Sequence, residues 1–459
     1  MDGFLEKVFK LKDNNTTPKI EVMAGITTFM TMAYILAVNP SILSITGMDA
    51  GAVFMATAIG SAIATAIMAI SANYPFALAP GMGLNAFFAF TVCGVMGYTW
   101  QMALAAVFIE GLIFLALSLT PVREAIFNCI PMSLKCGVSA GIGFFIAFIG
   151  MQSAKIVVGG PTLVALHNFR ATLEDGTFAT TSMPPILALI GLVLIAALYA
   201  NNVRGAILYG ILATWGLGII AELTGFYIPN PELGYFSTLP NLDQGFYIPS
   251  LAPTFMQMDF SVIHTFEFAI IIFSFMFVDL FDTLGTLIGV STKAKMLDSE
   301  GKLPQIKGAL LADSIGTSVG AVLGTSTVST YVESSSGVSQ GGRTGLTAVT
   351  VAVLFLLSIL LAPLFLSIAA FATAPALIFV GFLMISSLFQ IDFEDITEAF
   401  PAYLSAISMG YMYSIAEGIA VGVLSYVVIN IISGKFRTKP LNPIMVVLAI
   451  IFFLKYCLI

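Results

Sequence analysis

Apolar residues fill most of this chain in long runs, separated by short polar breaks. A bilayer crossing needs roughly 20 apolar residues. The first run covers about 22–45, the second 52–72, the third 76–96 and the fourth 102–119. A fifth covers 133–158, a sixth 185–200 and a seventh 206–221. A long loop follows, and then runs at 266–290, 308–323, 325–338, 346–366 and 374–389. The stretches 396–432 and 444–459 are apolar but harder to divide. The pattern predicts an all-α polytopic membrane protein with about 14 transmembrane segments, seven on each side of the loop. An odd-numbered unit that is duplicated must insert in opposite orientations, which predicts an inverted repeat. Glu21, Phe29 and Met30 return at one constant offset as Glu267, Phe275 and Met276.

The third and tenth runs differ from the rest. The third reads Pro75-Phe-Ala-Leu-Ala-Pro80-Gly81-Met-Gly83-Leu-Asn85. Pro80 disfavours helix immediately before it, and Gly81 relaxes the backbone. The tenth, Gly324-Thr-Ser-Thr-Val-Ser-Thr-Tyr331-Val-Glu333-Ser-Ser-Ser-Gly337, is rich in β-branched and short polar side chains. Both predict an extended piece followed by a half-helix. Such backbone is tolerated at membrane depth only when buried in protein or lining a cavity. Broken segments at matching places in two halves point to a transporter's midplane site.

Composition agrees with the pattern. Hydrophobic residues make up 58% of the chain and charged residues 9%; soluble domains carry about 25% charged residues. From Ala50 to Ile109 there is no Asp, Glu, Lys or Arg. Orientation follows basic residues rather than the net charge of -7. Lys7, Lys10, Lys12 and Lys19 precede the first run; Arg204, Lys293, Lys295, Lys302, Lys307 and Arg343 lie in later breaks. The loop from Leu223 to His264 has neither Lys nor Arg. The expectation is a cytoplasmic N-terminus and an external loop. Lys435, Arg437 and Lys439 belong in the cytoplasm if 396–432 makes two crossings broken near Met412. The last stretch then lies in the interface or re-enters; the alternative makes it a fourteenth span. The polar N-terminal residues carry no cleavable signal pattern. Cys93, Cys129, Cys136 and Cys457 form no Cys-x-x-Cys pair and read as small core residues, without a disulfide or metal. His167 and His264 fall in predicted external loops.

The acids carry the chemistry. A carboxylate at the bilayer centre costs about 2.5–3.5 kcal/mol on insertion scales. Asp279 and Asp282, spaced i, i+3, share one helix face. Two acids that repel when both are charged suit a group that takes up and gives off a proton. Glu333 sits at the expected mouth of a half-helix. Glu110, Asp313 and Glu417 read as structural acceptors. Asn85 either caps local backbone or reaches a ligand, and Phe29, Tyr34 and Tyr331 are candidates to stack on a planar ligand.

These motifs resemble a known family. They are Ala24-Gly-Ile-Thr-Thr-Phe-Met-Thr-Met-Ala-Tyr-Ile-Leu-Ala-Val-Asn39-Pro, Ala79-Pro-Gly-Met-Gly-Leu-Asn85, Asp279-Leu-Phe-Asp-Thr-Leu-Gly, Thr325-Ser-Thr-Val-Ser-Thr-Tyr-Val-Glu-Ser-Ser-Ser-Gly and Gly341-Gly-Arg-Thr-Gly. Together they resemble the second family of nucleobase–cation symporters, and within it the AzgA-like hypoxanthine/guanine permeases. The resemblance implies fourteen spans in two inverted sevens, with short strands in spans three and ten. It implies a core domain built from residues 1–119 (spans one to four) and 262–367 (spans eight to eleven). A gate domain would comprise 120–261 and 368–459. By motif position it puts base-binding acids at Asp279 and Glu333, a polar partner at Asn85, and Tyr331 with the Val332 backbone beside the ligand. Gly81 and Phe29 complete the candidate binding set; Asp279, Asp282 and Glu333 are the candidates for proton coupling. Relatives often have Ala where this chain has Ser334 after the span-ten acid, so the run Ser334–Ser336 bears on which purine is preferred.

The expected function is import of a purine nucleobase, guanine or hypoxanthine, by proton symport in a rocking or elevator cycle. The partners are the base, a proton and the lipid bilayer of the cell membrane; no cofactor, metal or nucleic acid is expected, and a homodimer is left open. Adenine selectivity and sodium coupling stand as alternatives within the family. An anion carrier of the same fold is disfavoured by two acids facing the ligand. An intramembrane aspartyl protease is disfavoured because Asp279 and Asp282 share one helix rather than facing each other; the chain is read as a carrier, not an enzyme.

Overall fold

The computed structural model describes residues 2–118, 120, 129–160, 163–240, 247–294, 296, 303–437 and 440–458. Lys295, Lys302 and Lys439, three of the orientation markers, lie outside the described residues, as do Leu119 and Ile459.

The chain is mainly helical. Among the described residues ten helices are long and apolar enough to cross a membrane. They include Ala50–Ser71, Trp100–Ser118, Met132–Ser153 and Ile306–Leu323. The helix Phe266–Ala294, which carries Asp279 and Asp282, is 29 residues long. All-apolar faces do not mark amphipathic surface helices; they are the signature of helices surrounded by lipid or by other helices.

Span three is broken as expected. A strand, Leu78–Pro80, leads into a helical turn at Met82–Ala86, followed by a π-helical stretch at Phe87–Val95. Span ten has the matching strand, Val328–Thr330, and a short helix, Ser334–Ser339. The strands pair antiparallel, Leu78 opposite Thr330, Ala79 opposite Ser329 and Pro80 opposite Val328. Gly81 N–H to Thr327 O at 3.0 Å and Tyr331 N–H to Ala77 O at 3.0 Å extend the ladder. One threonine per half serves each strand. Thr65 Oγ1 accepts from Leu78 N–H at 2.9 Å, and Thr317 Oγ1 donates to Val328 O at 3.0 Å.

Span one runs 29 residues, Pro18–Thr46, in keeping with the apolar run at 22–45, and its α-helical bonding is interrupted at Ala33–Tyr34, where both residues keep right-handed helical dihedrals. Its helix Pro18–Met32 stops, and a second helix begins at Ile35 and runs to Leu43 with Pro40 inside it. The fifth run ends early: the helix stops at Ser153, and Val157–Gly160 forms a hairpin with Leu163–Leu166.

The helices pack in two groups. Ala50–Ser71 packs on Ile306–Leu323 and Gly345–Ser358, and Trp100–Ser118 packs on Ile306–Leu323. Met132–Ser153 packs instead on Ala370–Ile385 and Ile396–Tyr411, and Met183–Ala200 on Ala206–Leu223. Close helix approach needs small residues. A Cβ on Gly137 would lie 2.5 Å from Ala402 O, and one on Gly143 2.6 Å from Gly381 O.

The stretch 396–432 is divided near Met412, as one of the two readings expects. Ile396–Tyr411 and Ile415–Ile432 are two helices lying side by side, separated by a turn in which Tyr413 has a φ of 54°. Lys435 pairs with Asp395, so the end of the second helix lies beside the start of the first. The last helix, Pro443–Leu458, packs on Ile415–Ile432, and its Phe452 meets Phe273 and Phe277 edge-on.

Candidate functional site

The two-stranded crossing defines the site. The three residues before the second strand are non-helical and fully buried, so their polar groups need partners. Each side chain finds one on a different span. Asn39 Nδ2 donates to Thr325 Oγ1 at 2.9 Å. Ser326 Oγ donates to Asn85 Oδ1, and Thr327 Oγ1 to Glu110 Oε2 at 2.8 Å. Asn85 is fully buried, and its Nδ2 has no hydrogen-bond partner among the described residues.

Past the strand, Tyr331 is buried and its hydroxyl donates to Pro80 O at 2.6 Å, tying the two extended pieces together. Val332 is 56% exposed, whereas its neighbours Tyr331 and Ser334 are buried. Glu333, half-buried, stands at the start of the helix Ser334–Ser339. Its Oε1 accepts from Tyr34 Oη at 2.7 Å, across from the turn in span one. The Ser334 hydroxyl accepts from Ala77 N–H at 3.0 Å, which fixes the start of this helix against span three.

Asp279 and Asp282 engage different neighbours. Asp282 Oδ2 accepts from Ser329 Oγ, on the second strand, at 2.7 Å. A Cβ on Gly81 would lie 2.7 Å from Ser329 Oγ and 3.0 Å from Asp282 Oδ2, so glycine is what lets these groups approach the strand. Asp279, fully buried, accepts at Oδ1 from Thr283 Oγ1 at 3.1 Å. The same hydroxyl lies 2.6 Å from Asp313 Oδ1 on the helix Ile306–Leu323. Asp282, Glu333, Tyr34 and Tyr331 all lie within electrostatic reach of one another.

Of the other candidate residues, Phe29 is half-buried and packs edge-on against Phe355, with ring centroids 5.3 Å apart. Arg343 Nη1 donates to Val338 O and Gly342 O, both at 2.7 Å, capping the end of the span-ten helix. His167 contacts Ser182 Oγ at 2.8 Å, away from the strands.

Two features escape sequence reasoning. Tyr34 reads as a stacking ring because nothing local marks the turn beside it: Ala33 and Tyr34 interrupt the α-helical bonding without Pro or Gly. Thr283 links Asp279 to Asp313, a partner on another span that no spacing within span eight announces.

The arrangement gathers hydrogen-bonding groups of several kinds in one place. It offers acid oxygens, an amide and backbone groups at a junction between two halves of the chain, with one exposed residue, Val332, beside the acid.

Residues 19–421 match the family model Xan_ur_permease, described as a permease family. The adenine permease AdeP of Escherichia coli is 43% identical over 99% of this chain and 96% of its own length. The guanine/hypoxanthine permease PbuO of Bacillus subtilis is 43% identical over 98% of this chain and 99% of its own. Among solved structures, the transmembrane domain of the cyanobacterial bicarbonate transporter BicA has a similar fold. It superimposes with a TM-score of 0.61 at 17% identity, covering 88% of this chain and 97% of that one.

Proposed function

The chain belongs to the permease family whose model it matches, and from that premise we propose that it imports purine nucleobases. The observation that carries the reading is the crossing itself: Glu333 and Asp282 flank the paired strands. A purine is planar, with N–H donors and ring-nitrogen or carbonyl acceptors along its edge. A carboxylate accepts such donors, as acids do when they read base edges elsewhere. Glu333 is proposed as the main acceptor, with Tyr331, Val332, Gly81 and Asn85 shaping the surroundings. Asp279 contributes to recognition from span eight, and Phe29 lines the apolar side.

The coupled ion in this reading is a proton, carried by Asp282, Asp279 or Glu333. A proton gained at a buried acid lowers the cost of moving the loaded site across the bilayer. The group of helices holding the strands moves as a core against the second group as a gate, by rocking or an elevator-like shift. The N-terminus faces the cytoplasm, in keeping with Lys7, Lys10, Lys12 and Lys19.

Relatives named for adenine and for guanine/hypoxanthine reach the same 43% identity, so either purine class fits the family likeness. The guanine/hypoxanthine assignment rests on the motif resemblance. A binding titration of purified protein with adenine, guanine, hypoxanthine and uracil separates them. Uptake of labelled hypoxanthine by Glu333→Ala and Asp279→Ala variants tests the acids; rates equal to the parent at equal expression refute their role. Uptake that follows an imposed pH gradient and ignores sodium supports the proton; the reverse dependence replaces it.

A further inference from the structure

We propose that Tyr34 is a positioning residue: its hydroxyl holds the Glu333 carboxylate in the orientation that meets the base. The inference rests on the reading of Glu333 as the base acceptor and deepens it.

Four observations lead there. Tyr34 is 1% exposed, and a buried phenol hydroxyl requires a partner. That partner is Glu333 Oε1 at 2.7 Å, and among the described residues Tyr34 is the one side chain that donates to this carboxylate. The contact lies at the turn that joins the two helices of span one. The helix Pro18–Met32 closes with Ala33 N–H on Phe29 O at 2.7 Å, and Tyr34 leads into the next helix at Ile35. Finally, Thr31 Oγ1 lies 3.5 Å from Glu333 O, so the same turn touches residue 333 at its backbone as well.

The physical effect is preorganisation. A glutamate has three rotatable side-chain bonds, and an unheld one must lose that freedom when it binds a ligand. Tyr34 is anchored in the protein and has few rotamers. By holding one oxygen it removes most of that loss beforehand, so the second oxygen and the outward lone pairs meet the base in one pose. Tyr331, the other phenol at the site, donates to Pro80 O and so braces backbone rather than acid. The two tyrosines therefore divide the work: one holds the strands, the other holds the acid.

The test is equilibrium binding of hypoxanthine, guanine and adenine to the purified full chain, with Tyr34→Phe, Glu333→Gln and the double variant. Tyr34→Phe keeps the ring and loses only the hydroxyl. Each single change is expected to weaken the tightest-binding base roughly 10- to 100-fold, the range for a hydrogen bond to a charged group. Because Tyr34 acts through Glu333, the double variant should bind no more weakly than Glu333→Gln alone. The thermal midpoint of ligand-free Tyr34→Phe should stay near that of the parent. A lowered midpoint, or effects that multiply in the double variant, would make Tyr34 a packing residue and overturn the proposal. Unchanged binding in Tyr34→Phe, with weakened binding in Glu333→Gln, overturns the Tyr34 role alone. Unchanged binding in Glu333→Gln, or no purine binding by the parent, overturns the base-acceptor reading and this inference with it.

Discussion

Glu21 and Glu333 both put a carboxylate between span one and the broken end of span ten, and they are treated in opposite ways. Glu21 is completely buried and saturated. It accepts from Arg343 N–H at 2.9 Å, Thr344 N–H at 3.2 Å, Thr347 N–H at 3.3 Å and Thr347 Oγ1 at 2.6 Å. These are the free donors at the start of the helix Gly345–Ser358, so Glu21 caps a helix from another span. Glu333 is half-buried and has one side-chain donor among the described residues, Tyr34. A carboxylate can accept about four hydrogen bonds. The saturated acid is structural; the acid with capacity to spare, beside an exposed residue, is the one we propose receives the ligand.

The comparison can be broken most forcefully at Glu21. Glu21→Ala strands the Arg343 and Thr344 N–H groups, at about 1–3 kcal/mol for each buried group left unsatisfied, whereas Thr347 N–H keeps Thr344 O and the Thr347 hydroxyl keeps Glu21 O. A loss of about 2 kcal/mol or more is expected, read as a clear fall in the thermal midpoint of purified protein. A midpoint within a degree or two of the parent would remove the distinction. Glu333→Gln should do the reverse: stability within about 1 kcal/mol of the parent, with base uptake lowered roughly 10-fold or more.

Gly81→Ala asks to which class Asp282 belongs. The added methyl collides with Ser329 Oγ and crowds Asp282 Oδ2, so it breaks the contact that joins span eight to the second strand. Uptake roughly 10-fold lower in a protein that still folds would group Asp282 with Glu333. Failure to fold would group it with Glu21.

The smallest effect is expected far from the strands. Lys435 and Thr397 donate to Asp395, which holds its carboxyl below the ordinary aspartate range. A depressed value means the folded form favours the charged acid. The contribution is therefore present above the unfolded aspartate value of about 3.9 and fades as pH falls through the lower folded one. The pair is partly exposed, so Lys435→Ala should cost only about 0.2–1 kcal/mol at neutral pH and less in acid. Chemical unfolding at two pH values measures it.

How much of this was legible beforehand follows from what each signal depends on. The spans are written in composition, and the breaks in spans three and ten in Pro80, Gly81 and the Ser/Thr run. The short strands in these two spans are what the family resemblance implies, and they pair antiparallel. The turn at Ala33–Tyr34 left no mark, because its residues are as apolar as those around them and tertiary contacts decide it. The i, i+3 spacing put Asp279 and Asp282 on one face but could not say that one meets Ser329 and the other Thr283. Neighbours on other spans are fixed by packing, and no local pattern carries them. Glu110, read as a structural acceptor, does accept from Thr327, and so braces the strand that leads to Glu333.

The strand pairing also sets an order of events during synthesis. Leu78 and its partner Thr330 are separated by more than half the chain. At translation rates of about 5–20 residues per second, the first strand waits on the order of 10–50 s for the second. Throughout that interval its backbone edge sits in or near the membrane without a ladder partner. Thr65 is already made by then, and its hydroxyl reaches both the N–H and the C=O of Leu78, at 2.9 and 3.1 Å. Leu78 stands at a non-hydrogen-bonded position of the ladder, so this threonine satisfies the outer edge of the strand, which the late strand never covers, while Ala77 O and Gly81 N–H are the groups left waiting for it.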